Sequence, residues 1–304
     1  MRVFVTGASG FIGSAVVSEL IAAGHQVVGL ARSDSSAQAL AAAGAQVHRG
    51  DLDNPASVRA GAEAADGVIH LAFNHDFADY SGAAELDRRA IETLGGVLAG
   101  SGRPFVVTSG LAGFRLGRTM TEDDAASPDS PRFSEHAALQ FASREVRVSV
   151  LRLPPSVHGD GDHGFVPRLI DIAREKGVAA YPGDGTNRWP AVHRHDAARL
   201  FRLALESAPA GARLHAIDDE GVPVRDIAAA IGRHLGVPVA AVPAEQALDH
   251  FGWLGAFFSL DVPASSSITR ELLGWQPTRQ RLLEDLEQGH YFADRAATHR
   301  GETG

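Results

Sequence analysis

The sequence predicts an α/β protein built on a doubly wound parallel sheet, with a smaller, mainly helical C-terminal lobe. Three observations predict it. Short apolar runs alternate with helical stretches through the first half of the chain. The runs are rich in Val and Ile and lack the alternation of a half-exposed strand. The pattern then changes after Leu153, where Pro and Gly cluster over 154–164 and 181–190. Strands buried on both faces give continuous apolar runs, and βαβ repetition brings right-handed crossovers with helices on both sides of the sheet.

In chain order, strands are expected at 2–5, 26–30, 46–48, 67–71, 104–108 and 147–153. Helices are expected between them at 11–23, 35–43, 83–99 and 134–143. Beyond Leu153, helices at 166–176, 196–206, 224–235 and 244–251 are separated by loops. The expected division is a nucleotide-binding domain over 1–155, rejoined by 190–218, and a substrate lobe made of 156–189 and 219–292. The polar segment 293–304 is a frayed tail.

Composition narrows the function. The net charge of −9 argues against a general nucleic-acid binder, which needs a basic face. The absence of cysteine excludes disulfides, thiolate nucleophiles and Cys-ligated metal centres. No apolar run approaches the ~20 residues that cross a bilayer. The first strand starts at Arg2, leaving no room for a cleaved leader, so the cytoplasm is the expected location. Expected partners are a small-molecule substrate and, as one open arrangement, a second copy of the chain in a homodimer; neither nucleic acid nor membrane is among them.

The strongest motif is Val5-Thr6-Gly7-Ala8-Ser9-Gly10-Phe11-Ile12-Gly13. It lies between a strand and a helix, as a Rossmann-type dinucleotide cradle requires. Gly7 permits the tight turn, Gly10 lets backbone approach a pyrophosphate, and Gly13 lets the helix pack closely; the anion then sits on the helix N-terminus. The second strand is followed by Arg32 and Ser33, where an acidic residue would select a ribose 2′-hydroxyl. A guanidinium there suits a 2′-phosphate, so NADP(H) is the expected cofactor.

These motifs resemble the extended and atypical short-chain dehydrogenase/reductases, the NAD(P)-dependent epimerase/dehydratase-like group. Asp51-Leu52 is similar to that group's adenine-contacting pair. His70-Leu71-Ala72-Phe73 resembles its segment beside the nicotinamide ribose. Thr108-Ser109 resembles the end of its fifth strand, and 151–159, with Pro154, Ser156 and His158, resembles L-R-P-x-x-V-Y-G. Segments 183–185 and 192–196 resemble its G-D-G and V-H-V-x-D. The resemblance implies cofactor contacts at Leu71, Ala72, Phe73, Thr108, Pro154 and Ser156. It is specific for fold and cofactor and weak for substrate.

One departure matters. The family's catalytic pair is Tyr-x-x-x-Lys, and this chain has none: its only lysine is Lys176, and four residues earlier stands Ile172. With Glu135 aligned to the family's glutamate, the pair falls on Ser127 and Pro131, which cannot transfer a proton. Candidates for the missing donor are His158, in the place of the family's tyrosine in V-Y-G, and also His136, Asn74, His75, Tyr80 and Tyr181. Ser109 is expected to orient the substrate. His158 is the first choice, because histidine titrates near neutrality. His193, His195 and Asp196 make a weak metal set, and no metal is expected. The aromatic residues Trp189, Phe251, Trp253, Phe257 and Phe258 are open to two readings, core packing or an apolar substrate pocket. Asn74, His75, Tyr181 and Trp189 are the expected substrate contacts. Few basic residues lie in the lobe's glycine loops, which argues against a nucleotide-sugar substrate.

Overall fold

In the computed structural model, residues 1–74, 79–111, 117–127 and 132–293 are described. The first half alternates strand and helix: β1 (Arg2–Thr6), α1 (Phe11–Ala22), β2 (Gln26–Ala31), α2 (Asp34–Ala42), β3 (Gln46–Arg49), α3 (Pro55–Glu63), β4 (Gly67–His70), α4 (Tyr80–Leu98), β5 (Pro104–Gly110), α5 (Ser134–Leu139) and β6 (Arg147–Leu153). A 3-10 turn at Gln140–Arg144 extends α5. There follow β7 (Ser156–His158), α6 (Phe165–Lys176), β8 (Ala179–Pro182), β9 (Arg188–His193), α7 (Arg194–Ser207), β10 (Ala212–His215), β11 (Asp219–Pro223), α8 (Val224–Leu235), β12 (Val239–Val242), α9 (Ala247–Phe251), α10 (Leu254–Phe258), α11 (Ser267–Leu273) and α12 (Leu282–Glu287).

Seven strands form one parallel sheet in the order β10-β6-β5-β4-β1-β2-β3. This is the Rossmann-type doubly wound sheet that the sequence predicts. Strand order reverses between β1 and β4, and ligands of such sheets bind outside the strand C-termini at that switch point. One face of the sheet is covered by α1 and α7, through Val16, Val17, Leu20, Leu200 and Phe201. The other face carries α3, α4 and α5, through Val58, Ile91, Leu94 and Ala138. Both faces of the inner strands β1, β2, β4, β5 and β6 are therefore buried, which explains their apolar runs.

Within 190–218, α7 packs under this sheet and β10 pairs with β6. The rest of the C-terminal half has its own core. In α8, Val224, Ile227 and Ile231 recur at helical spacing and share a core with Leu169, Trp189 and Phe258. This half holds more strand than the sequence suggested, in two small sheets, β11-β9-β7 and β12-β8. The helix expected at 244–251 is a 3-10 turn at Ala244–Gln246 leading into α9.

Helix α3 is an element the sequence reading lacked. Its signals are local: Asn54 caps it, accepting from the Ala56 and Ser57 amides, and Pro55 opens it where a missing N–H costs nothing. Among the described residues, no helix is long and apolar enough to cross a membrane.

Candidate active site

The turn after β1 is shaped by contacts that exclude side chains. Gly7 has φ +67°, and a Cβ there would lie 2.7 Å from the Ala72 amide nitrogen. A Cβ on Gly13 would lie 2.0 Å from the Gly7 carbonyl oxygen. Gly13 therefore lets α1 close on the turn itself, a nearer obstacle than the sheet. Gly10 differs: its Cβ would meet only the Gly7 oxygen, at 3.3 Å. Gly10 directly precedes α1, no side chain caps the helix, and Ser9 and Gly10 are exposed. The first-turn N–H groups of Phe11, Ile12 and Gly13 are thus available to an anion, beside space that a side chain on Gly10 would occupy.

Arg32 stands just past the end of β2 with its side chain 81% exposed and its Nε 4.0 Å from Asp51 Oδ2. Asp34, the nearby acid that would oppose a phosphate, is paired with Arg49. Ser33 has a structural task as well: its hydroxyl caps α2, accepting from the Ser36 amide at 3.1 Å.

At the ends of β1, β4 and β5 a buried polar chain fixes the floor of the crevice. Thr6 Oγ1 is 2.7 Å from His70 Nδ1 and accepts from the Ala72 amide, which places Leu71, Ala72 and Phe73 against the glycine turn. His70 Nε2 is 3.0 Å from Asp87 Oδ1, and Ser134 donates to the other Asp87 oxygen. Burial pushes the Asp87 carboxyl up, but the bonds and charge of His70, with help from Arg132 and Ser134, hold it below the usual carboxylate range. Arg132 completes the chain, donating to Ser134 Oγ at 2.9 Å and to the Thr108 carbonyl at 3.3 Å.

Beside it, Ser109 is 6% exposed at the end of β5. Thr108 Oγ1 and Ser156 Oγ are buried with no hydrogen-bond partner among the described residues. Orphaned buried hydroxyls of this kind need an explanation, and a polar ligand in the crevice supplies one. Pro154 is buried directly after β6.

Glu135 is anchored in the core. Arg152 binds it through both Nε, at 2.8 Å, and Nη2, at 2.7 Å, and Arg213 adds a bond at 2.8 Å. Burial raises the Glu135 carboxyl, and the two guanidinium partners more than reverse this. Ser127 is exposed, and Pro131 lies outside the described residues.

Two expected site residues need correction. His158 was expected to face the crevice. Its side chain is instead fully buried, with Nδ1 2.8 Å from Asp285 Oδ2 and its ring edge-on to His193. The strand that carries it turns into the small sheet beside β9, so the side chain enters packed interior. Trp189 was expected at the substrate. It is fully buried in β9, donates to the Phe257 carbonyl and packs against Phe165 and Phe258. Phe251 and Phe258 share that core, whereas Trp253 is 44% exposed.

Tyr181 lies over the Gly183–Gly185 turn, at the margin of the C-terminal core. Asn74 is exposed after β4, and His136 is exposed on α5; His75 lies outside the described residues. His193 accepts from the His195 amide and so caps α7; burial drives its pKa down to about 4.

The structure also points to residues that the sequence reading did not select. Arg132 is one. It stands next to the position aligned with the family's lysine, so a signal was present. Arg194 is another: its guanidinium lies 5.0 Å over the Phe11 ring, at the mouth of the glycine cradle.

Comparison with known proteins agrees with this geometry. A model of the NAD dependent epimerase/dehydratase family matches residues 3–89. An uncharacterized protein of Schizosaccharomyces pombe is 50% identical over 96% of this chain and 100% of its own length. The 4-hydroxy-2-methyl-3-oxo-4-farnesyl-3,4-dihydroquinoline-1-oxide ketoreductase of Stigmatella aurantiaca is 28% identical over 83% of this chain and 80% of its own. Among solved structures, a dTDP-glucose 4,6-dehydratase from Streptomyces venezuelae superposes with TM-score 0.77 at 21% identity, covering 95% of this chain and 97% of that one, a likeness of fold. On sheet order, glycine turn and sequence likeness together, the chain belongs to the NAD dependent epimerase/dehydratase family, within the extended short-chain dehydrogenase/reductase type.

Proposed function

We propose that this protein is an NADPH-dependent oxidoreductase that transfers hydride to a small carbonyl or imine compound, with a proton donor outside the family's usual pair. The observation that carries the reading is the cradle. An α1 without a side-chain cap, preceded by the exposed Gly10, adjoins an exposed Arg32 at the β2 end, and the neighbouring acid Asp34 is already paired with Arg49. The N–H groups of Phe11, Ile12 and Gly13 would hold a pyrophosphate. Arg32 would hold the 2′-phosphate, which a guanidinium binds through two parallel bonds. Leu71, Ala72, Phe73, Thr108 and Ser156 would line the nicotinamide end. When bound, the cofactor supplies the hydride.

The chain's own residues do the rest. Ser109 offers a hydroxyl for the substrate oxygen or nitrogen. The buried Thr6–His70–Asp87–Ser134 chain ties β1 and β4 to α4 and α5 beside it. The ketoreductase relative favours carbonyl reduction over sugar epimerisation. The missing pair favours a second reading, a cofactor-binding protein without turnover. NADPH oxidation against ketones, aldehydes and cyclic imines separates the two. A reductase consumes NADPH with at least one of these classes, and a non-catalytic binder consumes it with none.

A further inference from the structure

The missing pair leaves the substrate's proton without a source, and His158 is enclosed. The rim of β4 and β5 holds another tyrosine and another cation. Tyr80 opens α4, and its ring centroid lies 5.9 Å from that of Phe73, directly beyond β4. Arg132 lies over the same Phe73 ring, with Cζ 4.1 Å from the centroid. The guanidinium reaches the Thr108 carbonyl, next to Ser109. The guanidinium also lies beside Gly110, where a Cβ would be in ordinary contact with Arg132 Nη1, at 3.7 Å. Among the described residues Arg132 bonds only to neutral oxygens, those of Ser134 and Thr108. Among the described residues, no carboxylate forms a direct ion pair with it. Phe73, Tyr80, Arg132 and Ser109 thus form one rim over the strand ends where the ligand of such a sheet sits.

We propose that Tyr80 is the proton donor of the reduction and that Arg132 is its positioning residue, stabilising the phenolate left behind. The proposal rests on the reductase reading above. The carbonyl carbon accepts the hydride with its electron pair, and the C=O π pair moves to oxygen. That oxygen takes the proton from Tyr80 Oη, giving the alcohol, and the phenolate regains a proton from water. The balance is one carbonyl, one reduced nicotinamide and one proton in, one alcohol and one oxidised nicotinamide out.

Among the described residues, the charged groups acting on Tyr80 are Arg132, from the segment before α5, and Asp87, from its own helix and already bonded to His70. Burial raises the phenol, Arg132 pulls it down and Asp87 raises it, leaving it above its ordinary value. The proton is therefore held throughout the neutral range. An alkoxide is a stronger base than a phenolate, so the transfer still runs downhill.

Tyr80→Phe keeps the ring against Phe73 and removes only the hydroxyl. It is expected to lower kcat for a ketone by about 10²-fold or more, in the range for a positioned acid, and to leave NADPH affinity within twofold. The wild-type rate should stay level through neutrality and fall only in the alkaline range. A histidine donor would instead lose rate above about pH 7.

A second readout needs neither substrate nor cofactor. In the ultraviolet difference titration of tyrosine ionisation, the transition missing from Tyr80→Phe should move to higher pH in Arg132→Leu, because the nearby cation is gone. Unchanged ketone turnover in Tyr80→Phe, or a Tyr80 midpoint that ignores Arg132→Leu, overturns the proposal. If the wild type turns over no substrate, the reductase reading fails while the titration still judges the pair.

Discussion

A methyl group at Gly10 would meet only the Gly7 carbonyl oxygen, at 3.3 Å, whereas one at Gly13 would lie 2.0 Å from the same atom. These two glycines therefore separate ligand from fold. Gly10 has φ −74°, open to any residue, so Gly10→Ala should fold normally. It should weaken binding of either nicotinamide dinucleotide at least tenfold, or about 1.4 kcal/mol, because the methyl would occupy pyrophosphate space. Gly13→Ala should instead destabilise the fold by roughly 1–3 kcal/mol, the usual cost of overpacking. Calorimetric titration paired with urea unfolding checks both. Full cofactor affinity in Gly10→Ala would show that the turn does not hold the pyrophosphate.

At the scale of elements, α5 has only six residues and cannot hold itself in place. Glu135 fastens it, bound by Arg152 from β6 and Arg213 from β10. Both members of the Glu135–Arg152 pair are buried, so removing one leaves an uncompensated charge. Arg152→Met should cost roughly 3–5 kcal/mol, the range for breaking a buried pair. Double replacement with Glu135→Leu should recover part of it. A loss under about 1 kcal/mol for Arg152→Met would mean that Arg213 alone neutralises the carboxylate.

How far the elements were legible in the sequence depends on how local their signals are. β1, β4, β5 and β6 could be read because burial on both faces forces continuous Val and Ile runs. The glycine cradle could be read because its backbone demands fall within seven residues. Strands β7, β8 and β12 have three or four residues each and take their partners from distant segments, so no period forms in the sequence. His158 and Trp189 were misplaced for the same reason. Their positions depend on β9 pairing with β7 and on α12, more than a hundred residues beyond His158, bringing Asp285 to its ring.

Across the whole molecule, two histidines link the parallel sheet to the C-terminal segments. His193 ends β9 and caps α7. His215 ends β10 and is bonded to Arg152 and to the Ser265 carbonyl. Burial lowers each to a pKa of about 4. Their unfolded values lie near 6.5, so between about 4 and 6.5 the unfolded chain binds more protons than the folded one. Stability should therefore rise with pH across that window and be lost as pH falls from about 6.5 toward 4. Asp87 and Glu135, held below the usual carboxylate range, extend the loss below pH 4. Denaturant midpoints measured from pH 4 to pH 7 check this, and a flat profile would mean that neither imidazole stays neutral in the fold.

The cofactor reading depends on the whole arrangement, because β1, β2, β4 and β5 must present their ends to one dinucleotide. Its most direct test is calorimetric titration of NADPH and NADH into the wild type and Arg32→Ala. The expected result is at least tenfold tighter binding of NADPH by the wild type. Arg32→Ala should weaken NADPH by roughly 1.5–3 kcal/mol, the range for a charged hydrogen bond, and leave NADH nearly unchanged. Equal wild-type affinity for the two, or equal losses on replacing Arg32, would contradict a 2′-phosphate site at the end of β2.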